Sequence, residues 1–242
     1  MTAQPARRIP GASADDLPHP SPTEPARPRV FLFGITGGVG RILARGLRQR
    51  GASVSGLVRT PQQAADLREA GMSIVVGDLG TTPPSELATM IAEHDVVVFA
   101  AGSNAGPRRV TDDIDLTALD RVSEAVERTP GTRLVLLSVL PEAWRERSLS
   151  DDEEHYFAVK KRAEVRLTRR DVDWLILRPS LLTDEPGTGL VSLGPAEEHG
   201  EIPRADVAAV LEALVLGSPT SRRILELDGG RTTIADAVRR CA

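Results

Sequence analysis

The chain has 242 residues, of which 40% are hydrophobic and 26% charged, with 30 basic and 34 acidic side chains. This length suits one α/β domain. The net charge of −4 argues against nucleic acid as a partner, because phosphate binding requires a basic surface. No apolar run approaches the ~18 residues that span a membrane, so we expect no membrane partner. A single cysteine, Cys241, and four histidines without ligand spacing exclude a disulfide scaffold and predict no metal site.

The first 28 residues contain seven prolines and almost no apolar periodicity. Such a segment cannot bury enough apolar surface to offset the entropy of ordering it, which predicts a disordered leader over residues 1–28. The segment also lacks the apolar core of a secretion signal, so we expect a cytoplasmic protein. Residues 29–242 are then expected to form one folded domain.

From Arg29 onward, short apolar runs alternate with segments of helical periodicity. The predicted strands cover 29–34, 52–58, 72–77, 95–101, 132–138, 173–178 and 223–228. The predicted helices cover about 41–50, 113–128, 151–169, 203–216 and 232–240, with two more beginning at Thr60 and Thr82. Strands that are apolar on both faces and separated by helices indicate a parallel sheet covered on each side. The sequence predicts an α/β fold: a Rossmann-type doubly wound parallel sheet, with a small C-terminal substrate region.

A glycine-rich turn follows the first strand directly and reads GITGGVGR over residues 34–41. Glycines at 34, 37 and 40 lack the Cβ that would keep a pyrophosphate away, and the next helix points free N–H groups at that charge. Because the motif stands between a strand and a helix, it predicts nucleotide binding rather than a merely structural turn. The candidate binding residues in this segment are Gly34, Thr36, Gly37, Gly38, Val39, Gly40 and Arg41.

The end of the second strand bears on which dinucleotide is bound. NAD sites usually carry an acidic residue there for the ribose 2′-hydroxyl, but this strand ends in Val58, Arg59 and Thr60. The Arg59 guanidinium suits a 2′-phosphate, with Arg41 as a second candidate. An arginine-rich chain also places arginine there by chance, so the missing carboxylate is the stronger argument. We therefore expect NADP, with NAD as the less favoured alternative.

Two further strand ends are expected at the same edge of the sheet. Asp78 and Leu79 follow the third strand, where an adenine ring would lie, and Asp78 is a candidate to bind the adenine amine or simply to cap the turn. The small residues Ala100, Ala101 and Gly102 follow the fourth strand, where the cofactor ribose must approach the backbone. Both segments are therefore predicted to bind the cofactor.

The chain's only tyrosine, Tyr156, precedes one of its two lysines, Lys160, by four residues. On a helix these two side chains share a face, and the ammonium is expected to lower the phenol pKa for proton transfer. Ser138, at the end of the fifth strand, is a candidate to orient a substrate carbonyl. The alternatives are a half-buried aromatic, a solvated lysine and a serine satisfied at a strand end.

Together these segments resemble the short-chain dehydrogenase/reductase superfamily, in particular its atypical branch of NAD(P)-binding reductases, biliverdin reductase B-like and epimerase-like proteins. The resemblance covers about residues 29–242 and rests on 34–41, 77–79, 100–102, Ser138, 156–164, 173–179, 204–208 and 227–230. It implies a cofactor lying across the sheet edge, with Ser138, Tyr156 and Lys160 facing the nicotinamide and Pro179 lining that end of the pocket. Ser138 and Tyr156 are 18 residues apart, which is longer than the superfamily's usual spacing.

Three functions remain open from the sequence. The first is an NADP(H)-dependent oxidoreductase acting on a small carbonyl, quinone or flavin-like molecule, with Tyr156 as acid/base. The second is a nucleotide-sugar epimerase, although residues 180–203 are short for a sugar-nucleotide lobe. The third is a non-catalytic NADPH sensor. We expect a small-molecule substrate as the partner, and both a monomer and a homodimer remain compatible with the sequence.

Overall fold

The computed structural model describes residues 27–141, 143–217 and 220–241. The predicted leader, apart from its last two residues, lies outside this part of the chain. The strands are β1 (Arg29–Phe33), β2 (Ser53–Val58), β3 (Ser73–Val76), β4 (Val96–Phe99), β5 (Arg133–Leu137), β6 (Asp173–Pro179), β7 (Leu181–Thr183), β8 (Leu190–Gly194), β9 (Glu201–Pro203), β10 (Arg223–Gly229) and β11 (Thr232–Thr233). The helices are α1 (Gly38–Gln49), α2 (Pro61–Glu69), α3 (Pro84–Ile91), α4 (Arg108–Thr111), α5 (Leu119–Glu127), α6 (Asp151–Thr168), α7 (Arg204–Gly217) and α8 (Ile234–Cys241).

Nine of the described strands form one sheet in the order β11-β8-β10-β6-β5-β4-β1-β2-β3. The strands from β10 to β3 in that order are all parallel, whereas β8 runs antiparallel to its neighbours β10 and β11. This confirms the predicted doubly wound α/β fold. The short strands β7 and β9 pair with each other in the segment that the sequence left irregular.

The two faces of the sheet explain why its strands are apolar throughout. In β1, Val30 and Leu32 pack into a core with α1 and α7, while Phe31 and Phe33 pack on the opposite face with α3 and α5. Alternate side chains of one strand thus enter two different cores.

The chain order places a crevice beside β1. After β1 the chain moves outward to β2 and β3, then returns to the other side of β1 to form β4. The loops that leave β1 and β4 therefore diverge at the carboxyl ends of these strands, which is where open α/β sheets bind ligands. The glycine turn and the segment 100–102 both lie at this point.

The helix predicted at 113–128 is longer and less regular than expected. It begins with α4 and continues into α5 through a π-helical segment, Asp112–Ala118. The hydrogen bonds of such a segment run from i to i+5, so its turns are wider and its side chains point differently from those of a regular α-helix.

Two local predictions of helix starts are confirmed. Thr60 and Gln63 form a capping box at α2, and Ser150 and Glu153 form one at α6. None of the described helices is long and apolar enough to cross a bilayer. Within residues 27–141, 143–217 and 220–241, no three His, Cys, Asp or Glu side chains are grouped as a metal site.

Candidate functional site

The glycine turn is held in its shape by close backbone contacts. Gly34 has φ of +87°, and a Cβ there would overlap the backbone of Ala100 and Ala101 after β4. A Cβ on Gly40 would overlap the Gly34 carbonyl oxygen. These two glycines therefore allow the turn, α1 and the end of β4 to pack together.

The N-terminus of α1 is open toward the crevice. Its N-cap is Gly37, which makes no side-chain capping hydrogen bond, and no acidic residue stands in the first turn. The first N–H groups of a helix need an acceptor, and the helix dipole favours an anion at this end. The turn is thus suited to bind a phosphate group.

A cleft extends in both directions from this turn. One compartment, of about 360 Å³, reaches toward the ends of β2 and β3. The other, of about 470 Å³, reaches toward β5 and α6. Both share Gly37 and residues 100–102, so they form one continuous cleft. A dinucleotide with its pyrophosphate at the turn fits this arrangement, since each half would enter one compartment.

Most of the predicted site residues line this cleft. The compartment near β2 and β3 is lined by Gly34, Thr36, Gly37, Arg59, Asp78, Leu79, Ala100, Ala101 and Gly102. The compartment near α6 is lined by Gly37, Gly38, Val39, Ala100, Ala101, Gly102, Ser138, Tyr156 and Lys160. Pro179 lines a smaller pocket of about 80 Å³ that shares Ser138 and Tyr156 with the second compartment. Gly40 and the exposed Arg41 are not brought to the lining of either compartment.

Asp78 stabilises the turn in which it lies. Its Oδ1 accepts a hydrogen bond from the Gly80 N–H at 2.8 Å, and its carbonyl accepts from Thr81 and Thr82. The capping role considered from the sequence is therefore present, while the residue also lines the cleft.

Tyr156 and Lys160 lie one turn apart on α6, as predicted. The Lys160 Nζ is 5.8 Å from the centre of the Tyr156 ring. Lys160 is buried, with Nζ 3.2 Å from Asp115 Oδ1 and 3.4 Å from the Leu137 carbonyl oxygen. The lysine is therefore not a solvated surface residue.

The pKa of Tyr156 differs from the expected direction. Burial raises it and the negative charge of Asp115 adds to this effect, and these outweigh the lowering by Lys160. Burial lowers the pKa of Lys160, but Tyr156 and Asp115 outweigh it and raise that pKa. At neutral pH the site therefore holds a protonated phenol beside an ammonium ion.

Asp115 is a site residue that the sequence reasoning missed. It lies in the π-helical segment, is 1% exposed, and its Oδ2 accepts a hydrogen bond from the Ser103 N–H at 2.9 Å. Its carboxylate thus joins Lys160 to the loop after β4. Asp115 precedes the apolar residues Ala118 and Leu119 by three and four positions, and an acid at this helical spacing was the available signal.

Ser138 belongs to a buried network of hydrogen bonds and ion pairs, which the sequence reasoning also missed. Its hydroxyl donates to Glu164 Oε1 at 2.6 Å. The Arg178 guanidinium binds both oxygens of Glu164 and also contacts Glu226 Oε1 at 3.1 Å. The signals were a glutamate eight residues after Tyr156 on α6 and an arginine inside an apolar strand.

The small pocket beside Tyr156 has mainly apolar walls, among them Trp144. Arg204, at the start of α7, contributes its one charged side chain among the described residues and pairs with Asp184 at 2.9 Å. Asn104 lines both this pocket and the second compartment. Its left-handed backbone, with φ of +55°, is uncommon for a residue with a side chain.

Comparisons with known proteins agree with this geometry. The NAD(P)H-binding family matches residues 34–216. An uncharacterized sugar epimerase of Bacillus subtilis, YhfK, is 31% identical over 88% of this chain and 99% of its own length. A solved Bacillus halodurans protein, named for NAD-dependent epimerase/dehydratase activity, has a TM-score of 0.79 and 31% identity, covering 88% of this chain and 99% of its own.

A third comparison concerns a reductase. ChuY, an anaerobilin reductase of Escherichia coli O157:H7, has a TM-score of 0.69 and 25% identity, covering 83% of this chain and 97% of its own. The NAD(P)H-binding match takes in the glycine turn, Tyr156, Lys160 and the start of α7. The proteins that it resembles are named as epimerases and a reductase, and the chain itself belongs to the NAD(P)H-binding family of Rossmann-type proteins.

Proposed function

We propose that the protein is an NADP(H)-dependent oxidoreductase that transfers a hydride between the nicotinamide and a small carbonyl, quinone or flavin-like substrate. The observation that carries this proposal is the continuous cleft, which joins the glycine turn to the Tyr156–Lys160 pair. When bound, the cofactor supplies the hydride. Tyr156 supplies the proton to the substrate oxygen, because its raised pKa keeps the phenol protonated. Lys160 has three N–H donors. Two of them are used by Asp115 Oδ1 and the Leu137 carbonyl oxygen, so the third remains for the cofactor ribose.

The small pocket favours a reductase over an epimerase. The B. subtilis relative is named as a sugar epimerase, and an epimerase for nucleotide sugars would have to hold a second nucleotide beside the first. Beyond the compartment assigned to the cofactor, the pocket beside Tyr156 measures only about 80 Å³ and is lined in part by β7 and Trp144. This volume supports a small substrate.

Replacing Tyr156 with phenylalanine tests the proton donor. We expect NADPH-dependent reduction to fall by about a hundredfold or more, since a positioned acid contributes about 10²–10⁴-fold, while NADPH binding is retained.

The raised pKa of Tyr156 predicts a pH profile for the wild-type protein. The rate should stay level through neutral pH and fall only above the ordinary tyrosine pKa of about 10, as the phenol loses its proton. The activity of the phenylalanine variant and the pH profile of the wild type are both measured by the loss of NADPH absorbance. A rate that rises through that alkaline range, or a fully active phenylalanine variant, contradicts this role.

Replacing Arg59 with glutamine tests the choice of cofactor. Arg59 is exposed and lines the first compartment, and no acidic residue follows β2 directly. We expect the Kd for NADPH to rise about tenfold to a hundredfold, as for the loss of one or two hydrogen bonds to a charged group, while the Kd for NADH stays the same. Arg45, exposed on α1 and outside both compartments, provides a matched control substitution. Equal wild-type affinity for NADPH and NADH would contradict the assignment.

A further inference from the structure

The hydroxyl proton of Ser138 has a fixed direction. Ser138 is 7% exposed and Glu164 3% exposed, and the two oxygens are 2.6 Å apart. Arg178 holds Glu164 with two hydrogen bonds, of 3.0 Å from Nε and 2.6 Å from Nη2. This fork binds an ionised carboxylate, which can only accept hydrogen bonds. A serine has one hydroxyl proton, so the proton of Ser138 is committed to Glu164.

Strand pairing keeps Glu164 in this position. Arg178 on β6 is in register with Glu226 on β10, and the two side chains pair at 3.1 Å. Glu226 Oε2 in turn accepts from the Glu197 N–H at 3.0 Å. Arg178 is fixed by the pairing of β6 with β10 and by its contact with Glu226. Glu164 therefore cannot turn away without breaking its buried ion pair with Arg178. The direction of the Ser138 hydroxyl is therefore set by the sheet.

Ser138 also lines the cleft on its other side. Ser138 and Tyr156 are both in the lining of the second compartment and of the small pocket. With its proton on Glu164, the Ser138 oxygen has only lone pairs left for these spaces. Lone pairs attract an N–H or O–H group and repel a carbonyl oxygen, so Tyr156 is left as the donor for a carbonyl.

We propose that Glu164 is a positioning residue that holds Ser138 as a hydrogen-bond acceptor toward the cleft, so that the protein selects carbonyl substrates with a hydroxyl or N–H group next to the carbonyl. This inference rests on the proposed reductase function and names the substrate class. The carbonyl carbon accepts the hydride, its oxygen accepts the proton of Tyr156, and the neighbouring hydroxyl keeps its proton while donating to Ser138. Each reduction thus consumes one hydride from NADPH and one proton, and the Tyr156 phenolate regains its proton from water.

The chain's single tyrosine gives a direct test that needs no substrate. Isotope-labelled tyrosine produces one NMR signal, whose titration reports the pKa of Tyr156 alone. If Ser138 only accepts, it cannot stabilise the phenolate, so Ser138→Ala should leave this pKa unchanged or lower it. If Ser138 donates to the phenolate, the same substitution raises the pKa. A rise therefore overturns the proposal.

Glu164→Met provides the second measurement, because it removes the carboxylate that accepts the Ser138 proton. Ser138 is then free to donate its proton to the phenolate, so the Tyr156 pKa should fall by about one unit. The fall should be absent in the Ser138→Ala background. Glu226→Gln removes a charge from the same network without touching Ser138 and should give no such dependence on Ser138. Glu164→Leu, which also removes the acceptor, replaces Glu164→Met if the latter does not fold.

Substrate selection is tested with a pair of ketones of equal shape. Acetoin and 3-methylbutan-2-one differ only by a hydroxyl in place of a methyl next to the carbonyl. We expect the wild-type kcat/KM with NADPH to favour acetoin by about tenfold or more, and Ser138→Ala to remove this preference. Equal rates overturn the substrate class. Reduction of neither ketone also overturns it, while NADPH binding and the tyrosine titration still decide the cofactor site and the role of Glu164.

Discussion

Replacing Lys160 with methionine is expected to lower the free energy of unfolding by about 3–5 kcal/mol, because it leaves the buried Asp115 carboxylate without its cation. The Asp115 side chain is fully buried, and the Lys160 ammonium at 3.2 Å is its charged partner in the described part of the chain. The substitution should also abolish turnover, since it removes the group that faces Tyr156. Unfolding in denaturant and NADPH oxidation measure the two effects.

The double variant Lys160→Met/Asp115→Asn tests whether the effects of the two substitutions depend on each other. Once the carboxylate is gone, the loss of the lysine charge should cost much less, so the two effects should not add. Lys161→Met is the matched control, because Lys161 is exposed and its loss should change stability by less than about 0.5 kcal/mol. Additive effects of the two buried substitutions would contradict a tight ion pair.

Replacing Gly40 with alanine should give the second large effect, on cofactor affinity. The new Cβ would overlap the Gly34 carbonyl oxygen, a backbone atom that cannot rotate aside, so the glycine turn must move. We expect the Kd for NADPH to rise by about a hundredfold or more and stability to fall by about 1–3 kcal/mol, as for other overpacked positions. Fluorescence titration with NADPH measures the first and denaturant unfolding the second.

Gly217→Ala is the control for this variant. A Cβ at Gly217, at the end of α7, meets no atom of the described residues within 4 Å. Its alanine variant should bind NADPH like the wild type. If Gly40→Ala also binds like the wild type, the turn is not the phosphate site that its geometry indicates.

Local sequence patterns predicted the frame of the molecule and the phosphate-binding turn. The strand runs, the capping boxes at Thr60 and Ser150, and the glycine spacing each depend on residues close together in the chain. The cleft followed from these, because parallel strands present their carboxyl ends at one edge. The pairing of Tyr156 with Lys160 was readable for the same reason, as both lie on one helix.

The charge network could not be predicted because it depends on distant pairing. Glu164, Arg178 and Glu226 come from α6, β6 and β10, and they meet only when β10 pairs beside β6. The direction of the Tyr156 pKa was wrong for a related reason. Spacing on α6 shows the lysine but shows neither the burial of the phenol nor the carboxylate brought by another helix. Strands β7 and β9 pair within a polar segment whose pattern resembles a loop.

The π-helical segment Asp112–Ala118 has a consequence for reading related sequences. Its wider turn sets the angle at which Asp115 faces Lys160. Deletion of one residue there would let the helix close into regular α geometry, which would change the directions of the side chains inside the segment while the flanking turns keep theirs. A relative shortened in this way could keep the aspartate in an alignment and still lack its contact with the lysine. Helix length across this stretch, more than the identity of the acid, would then decide which relatives share the arrangement.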